Sequence, residues 1–327
     1  MGYGSLIRRA WERTWRHPFL WVLGLFAPST VGSCSPGTGG TGTQWRASPE
    51  DVERISPGLE PGLREAGRWL IQNQEFVATL VAVLVAGAVI LGLLFLVASL
   101  IAQGGMARAT ADLSMGRPSS LRQAWEVGLR LVWRYLLLWL LLILVAVLVS
   151  LTVAAFFGLI AVLFSVVTDT PRVILLGVAA VLGVVLLVVA IPVLIAASVV
   201  VAFGQRAIAV EDVGPVAALE TGARLVWRNL GTTAIAWLIN LALSIGAGIA
   251  IVLAFLVAAI PPGVVAFVLF SVTGVSEAAI IFAVVAALAL VGVLWFLAAV
   301  ANTFFWHYWT MVYLNLSGRL NARMEPL

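Results

Sequence analysis

The chain has 327 residues, of which 62% are hydrophobic and only 10% charged, and its mean hydropathy is +1.09. This composition excludes an ordinary soluble domain and predicts an all-α integral membrane protein, with residues 1–327 forming a single membrane domain. Arginine supplies all the positive side chains of a chain whose formal net charge is +4, and the lone Cys34 excludes an intrachain disulfide.

Six apolar runs follow one another along the chain. A transmembrane helix needs about 20 apolar residues, so five of the runs qualify easily and the first is marginal. The runs cover residues 18–31, 76–102, 135–167, 173–203, 230–260 and 278–312. The sequence therefore predicts six transmembrane helices.

A short repeat precedes the first, third and fifth runs. The segment AWEVGLRLVWR at 124–134 returns as ALETGARLVWR at 218–228 with eight of eleven positions identical, and a shorter copy, AWERTWR, occupies 10–16. Each copy has the charge spacing of an amphipathic helix. We expect three membrane hairpins, each preceded by such a helix, in modules 5–103, 119–203 and 214–316, with bends at Arg134 and Arg228.

The arginines predict the orientation of the chain. They cluster before the first, third and fifth runs and after the sixth, so the positive-inside rule places both termini in the cytoplasm of a multi-pass protein of the bacterial cytoplasmic membrane. We then expect an extracytoplasmic loop at 28–74 and an interfacial or re-entrant segment at 261–277. An alternative is a lipoprotein leader, in which the first run is cleaved and Cys34 is lipidated.

Each amphipathic segment contains a glutamate followed four residues later by an arginine, a favourable helical spacing. The predicted pairs are Glu12 with Arg16, Glu126 with Arg130, and Glu220 with Arg224. Such helices are expected at the cytoplasmic interface, with their arginines near anionic lipid phosphates. The candidate headgroup contacts are Arg16, Arg130, Arg134, Arg224 and Arg228. The alternative interpretation is a solvated face whose arginines only set the topology.

Polar residues within the runs concentrate in the last two. The candidate intramembrane polar cluster comprises Asn240, Ser244, Asn302 and His307. These residues predict either hydrogen bonds between neighbouring helices next to an aromatic belt, or a polar pocket for a lipid headgroup or a partner helix.

The sequence contains no recognisable catalytic, phosphate-binding or metal-binding motif. Apart from Glu277, we expect no acidic residue or arginine within the spans, which disfavours an ion-coupled transporter. We therefore expect a protein without enzymatic activity, cofactor or nucleic-acid partner. Its expected partners are membrane lipids, including anionic headgroups, and a membrane protein. The leading hypothesis is a lipid-associated scaffold or assembly partner, and the alternative is a transporter or flippase-like lipid mover.

The chain resembles a bacterial superfamily of six-span membrane proteins of largely unknown function, which includes the membrane domain fused to some glycerophosphodiester phosphodiesterases. The resemblance depends on the three modules, on Ala-Trp-Glu at 10–12 and 124–126, and on LVWR before the third and fifth runs. It implies a cytoplasmic-membrane protein concerned with envelope lipids or a partner protein. We expect no catalytic domain after the sixth run, so the resemblance implies no phosphodiesterase activity for this chain.

Overall fold

The computed structural model describes residues 2–27, 72–166, 170–273 and 277–320, and every regular element in these ranges is a helix. The helices are α1 (Tyr3–Arg16), α2 (Phe19–Phe26), α3 (Gln74–Ser114), α4 (Leu121–Val166), α5 (Thr170–Glu211), α6 (Pro215–Arg228), α7 (Leu230–Thr273) and α8 (Glu277–Leu316). The described residues before position 28 and from Ser99 onward belong to one compact unit, and the part of α3 before Ser99 belongs to a second.

Five of these helices, α3, α4, α5, α7 and α8, are long and apolar enough to cross a membrane. They correspond to the second to sixth predicted spans. The described part of the first predicted span forms only the eight residues of α2, and the rest of it, like Cys34 and most of the predicted loop at 28–74, lies outside the described residues. A six-span count therefore stays a prediction.

The long helices of the larger unit are packed at one end and exposed at the other. In α4, Leu131, Tyr135 and Leu138 are buried, whereas apolar side chains from Leu140 to Val162 are mostly exposed. That exposed stretch covers about 23 residues, or roughly 35 Å at the helical rise, which matches one bilayer crossing. We call the packed end the basic end, because the arginines described below lie there.

The C-terminal half of α8 lies at the centre of the basic end. Trp306, Tyr308 and Trp309 are buried there on different sides of the helix. The indole N–H of Trp306 donates to the carbonyl of Ala27 at 3.0 Å, and the Tyr308 hydroxyl donates to the carbonyl of Ala236 at 2.8 Å. These aromatic residues therefore form a core between helices rather than the predicted aromatic belt. A helix that is apolar on all sides is typical of this central position.

Glycines lie at the closest contacts between helices. The two long copies of the repeat each have a glycine at the same position, and both glycines make such a contact. Gly128 of α4 lies against the backbone of Ile101 in α3, and Gly222 of α6 lies against the backbone of Val200 in α5. A methyl group on Gly222 would be 2.5 Å from the Val200 carbonyl oxygen. These glycines occupy equivalent positions of the two segments, so each copy of the repeat makes the same kind of backbone-to-backbone contact.

The predicted bend at Arg134 is wrong. Helix α4 continues without a break through Arg134, whereas the chain does break at Asn229, between α6 and α7. The side-chain amide of Asn229 donates from Nδ2 to the backbone carbonyl of Leu225 at 3.0 Å, and so competes with the backbone hydrogen bonds of the helix. In α4 the corresponding residue is Tyr135, which is buried and extends the helix.

The separate interfacial or re-entrant segment expected at 261–277 is also not observed. Helix α7 runs through Pro261 and Pro262 to Thr273. Each proline removes one backbone donor, but the helix continues on both sides of the pair. The prolines therefore lie inside a long helix instead of starting a new element.

Candidate functional site

Two of the predicted headgroup contacts, Arg130 and Arg134, line the same cleft at the basic end. They share it with Arg108 of α3, which is not among the predicted headgroup contacts. The cleft has a volume of about 410 Å³, and it is lined by Arg108, Val127, Arg130, Leu131, Arg134, Ala209 and Asp212. We call it the arginine cleft. Three guanidinium groups and one carboxylate give these lining residues a net positive charge.

Two of the three arginines are held by the protein itself. Arg108 donates from Nε to Asp112 at 3.1 Å and from Nη1 to the carbonyl of Ala209 at 3.1 Å. Arg134 donates from Nη1 to the carbonyl of Asp212 at 2.8 Å and also to the Asp212 carboxylate. Asp212 has a φ of 57°, a left-handed conformation that Asp tolerates better than most residues. These bonds fix the two guanidinium groups in position before any ligand binds.

Arg130 is exposed and forms no ion pair with any described residue. Its predicted partner, Glu126, instead pairs with Arg122 at 2.9 Å. Arg130 therefore offers a guanidinium group with unused donors between two fixed arginines. Such a group is suited to bidentate contact with a phosphate or a carboxylate.

Of the three predicted ion pairs, the structure contains only Glu220 with Arg224, at 2.6 Å. Glu12 pairs with Arg8 at 3.7 Å rather than with Arg16. The reason is that Glu12 and Glu126 each have an arginine one helical turn before and one turn after, so two pairings compete. Glu220 has Val216 at the earlier position, and only one pairing is available.

The remaining candidate headgroup contacts do not line the arginine cleft. Arg16 is exposed at the end of α1, Arg224 is exposed on α6, and Arg228 is exposed at the end of α6. The structure thus brings together the two candidate arginines of the second module and leaves the other three apart from them.

The end of α1 is a second place where positive charge accumulates. Burial lowers the pKa of His17, and the neighbouring Arg13 and Arg16 lower it further. The imidazole of His17 is therefore neutral at pH 7, and the charge at this end comes from the arginines.

In the predicted intramembrane polar cluster, the two asparagines make separate hydrogen bonds between helices. Asn240 accepts a hydrogen bond from the Trp309 indole at 2.9 Å, and Asn302 donates to the carbonyl of Gly24 at 3.2 Å. Ser244 and His307 are buried, and neither the Ser244 hydroxyl nor the His307 imidazole has a hydrogen-bond partner among the described residues. The two asparagines therefore join α7 to α8 and α8 to α2, as expected of hydrogen bonds between membrane helices.

Arg206 lies three residues beyond the predicted fourth span but within the same helix. The apolar run ends at residue 203, but α5 continues to Glu211, and Arg206 is 2% exposed in the core. Its Nη1 donates to the carbonyl of Ala202 at 2.6 Å, and its guanidinium carbon lies 4.6 Å from the ring centroid of Trp306. Glu211 is engaged by the hydroxyl of Tyr313 and by Arg319. Arg206 is thus balanced mainly by an aromatic face.

The sequence itself contains a pattern that predicts the burial of Arg206, because the C-terminal ends of α3 and α5 resemble each other. Residues 102–112 and 202–212 share Ala, Gly, Ala, Ala and Asp at the same relative positions, namely Ala102, Gly104, Ala107, Ala109 and Asp112 and the residues exactly 100 later. In this register Arg206 corresponds to the fully buried Met106.

Among the described residues, no group of three His, Cys, Asp or Glu side chains could hold a metal ion. No curated protein and no solved structure matches the chain. One family model matches residues 9–323, which is nearly the whole length of the chain. The protein therefore belongs to DUF7544, a family of unknown function.

Proposed function

We propose that this protein binds anionic lipid headgroups in the bacterial cytoplasmic membrane through the arginine cleft, and acts there as a lipid-associated scaffold or assembly partner without enzymatic activity. In this proposal the chain has six spans, both termini are cytoplasmic, and the basic end faces the cytoplasm. The chain would then belong with the six-span superfamily that it resembles, whose link to envelope lipids agrees with the proposed ligand.

The observation that carries the proposal is the arrangement of Arg108, Arg130 and Arg134 in one cleft. A guanidinium group presents a planar set of donors that matches phosphate oxygens, and charge-assisted hydrogen bonds are about twice as strong as neutral ones. Two of the groups are fixed by Asp112, Ala209 and Asp212, so little side-chain entropy is lost when a ligand binds.

The position of the cleft also favours a lipid over a soluble anion. On α4, Trp133 lies next to Arg134 and is 65% exposed, and from Leu140 onward most apolar side chains of the helix are exposed. Tryptophan is enriched at the membrane interface, and basic groups beside it meet headgroup phosphates. A phosphate in the cleft would therefore lie close to the acyl chains that surround α4.

The alternative of a transporter or lipid mover requires a polar, water-accessible cavity in the middle of the spans. The arginine cleft is instead at the ends of the helices, beside the loop between α5 and α6. The cleft therefore supports binding of a headgroup at one face of the membrane better than transfer across it.

The replacement Arg130→Gln tests the proposal, with Arg224→Gln as the matched control. The two arginines are equivalent in the repeat, but Arg224 is paired with Glu220 outside the cleft. We expect Arg130→Gln to weaken binding of anionic lipid about tenfold, equivalent to about 1.4 kcal/mol, and Arg224→Gln to have little effect. Native mass spectrometry of the full-length protein titrated with phosphatidylglycerol measures both. Equal losses in the two variants would contradict the proposal.

The proposed orientation is tested by labelling single cysteines in intact spheroplasts, in a Cys34→Ser background. Val216 is 68% exposed at the basic end, and Val216→Cys should react with an impermeant maleimide only after lysis. Gly263 lies in open space on α7, about 35 residues or 52 Å beyond Arg228. That distance exceeds the roughly 30 Å hydrocarbon core, so Gly263→Cys should react before lysis. The reverse pattern would overturn the orientation.

A further inference from the structure

A second cleft adjoins the arginine cleft and shares Arg108, Val127 and Arg130 with it. It has a volume of about 310 Å³ and extends toward the start of α4. Arg108 and Arg130 thus stand between two neighbouring cavities, each of which has a third arginine of its own. That arginine is Arg134 in the arginine cleft and Arg117 in the second cleft.

The start of α4 adds a further anion-binding feature to the second cleft. Ser119 and Gln123 line it, and Ser120 and Gln123 form reciprocal side-chain to backbone hydrogen bonds that fix the first turn. These bonds use the N–H groups of Ser120 and Gln123, but the N-terminus of the helix still carries the partial positive charge of the helix dipole, which favours phosphate. Here that terminus lies beside arginine side chains, so the two effects act on the same ligand.

The carboxylates of the second cleft are already engaged by arginines. Asp112 lies 3.1 Å from Arg108 and 3.6 Å from Arg117, and Glu126 is paired with Arg122. They orient the guanidinium groups, as Asp212 does in the arginine cleft. Each arginine has five N–H donors, so Arg108 and Arg117 retain donors for a phosphate after these contacts.

We infer that the two clefts together bind one lipid headgroup that carries two phosphates, one phosphate in each cleft, with Arg108 and Arg130 contacting both. The inference rests on the proposed function and specifies its ligand. A lipid with a single phosphate fills only one cleft. When two phosphates belong to one headgroup, the second binds at a high effective concentration, so a two-phosphate lipid binds more tightly at the same total phosphate.

Cardiolipin and phosphatidylglycerol, compared at equal lipid phosphate, test the inference. We expect the full-length protein in detergent to bind cardiolipin about tenfold more tightly or better, as measured by native mass spectrometry. Arg117→Gln should remove this preference while binding of phosphatidylglycerol is retained, because the arginine cleft is intact. Arg228→Gln, exposed at the end of α6 and outside both clefts, is the control and should keep the preference.

The possible outcomes separate this inference from the proposed function. If the protein binds cardiolipin and phosphatidylglycerol equally tightly, and Arg130→Gln loses binding of both, the inference of a two-phosphate headgroup is wrong and the proposed function stands. Lipid binding that does not depend on Arg130 would overturn both. Inorganic pyrophosphate that binds as tightly as cardiolipin would show that the ligand is a soluble diphosphate and would overturn the lipid assignment.

Discussion

Gly128→Ala is expected to destabilise the protein by at least about 2 kcal/mol, at the upper end of what overpacking by one methyl group costs. The added methyl carbon would fall on the carbonyl oxygen of Ile101 and 3.0 Å from its carbonyl carbon. Because these are backbone atoms of α3, no side-chain rotation relieves the clash, and the helices must move apart. We expect a fall of about 5 °C in the melting temperature of the detergent-solubilised protein.

Gly158→Ala is the matched control in the same helix, because nothing lies within 4 Å of a methyl group there. It should leave the melting temperature unchanged or raise it, since alanine favours a helix by up to about 1 kcal/mol over glycine. Gly222→Ala should behave like Gly128→Ala, because its methyl group meets the Val200 carbonyl. Wild-type stability in Gly128→Ala would refute the close contact of α3 and α4.

Hydropathy predicted the five long apolar helices, and each of these helices extends beyond its apolar run. In α3 the apolar run ends at Ala102, and yet the helix continues to Ser114 through Gly104, Gly105 and Ala107. Hydropathy falls in this stretch because the residues are small or polar. Burial against other helices keeps it helical, and a single-sequence window does not contain that contact.

The repeat predicted Arg130 as part of the site but could not predict Arg108, which lies outside the repeated segment. Arg130 and Arg224 are equivalent in sequence, so both were selected. What separates them is the residue contributed by the preceding span, which is Arg108 for the second module and Ile208 in the corresponding register for the third. The arginine cleft needs that extra guanidinium, and Arg108, which supplies it, lies outside the second module in the sequence.

Trp306→Leu is expected to destabilise the protein by about 3 kcal/mol, because three losses coincide. The smaller side chain leaves a void at a fully buried site. The indole hydrogen bond to the Ala27 carbonyl disappears, and so does the aromatic face that lies 4.6 Å from Arg206. The last loss leaves a buried guanidinium with little compensation, a situation that costs several kcal/mol when the charge has no other partner. Chemical denaturation of the purified protein measures the change.

Arg206→Met separates the cation–π contact from the packing, since the equivalent Met106 is accommodated with full burial. Alone it should be neutral or stabilising by about 1 kcal/mol, because it removes a buried charge and keeps an apolar side chain of similar length. Combined with Trp306→Leu, it should recover about 1 to 2 kcal/mol of the loss, the size of a desolvated cation–π interaction. Additivity of the two changes within about 0.5 kcal/mol would show that Trp306 stabilises the core through packing and its hydrogen bond to Ala27, and that its ring does not balance Arg206.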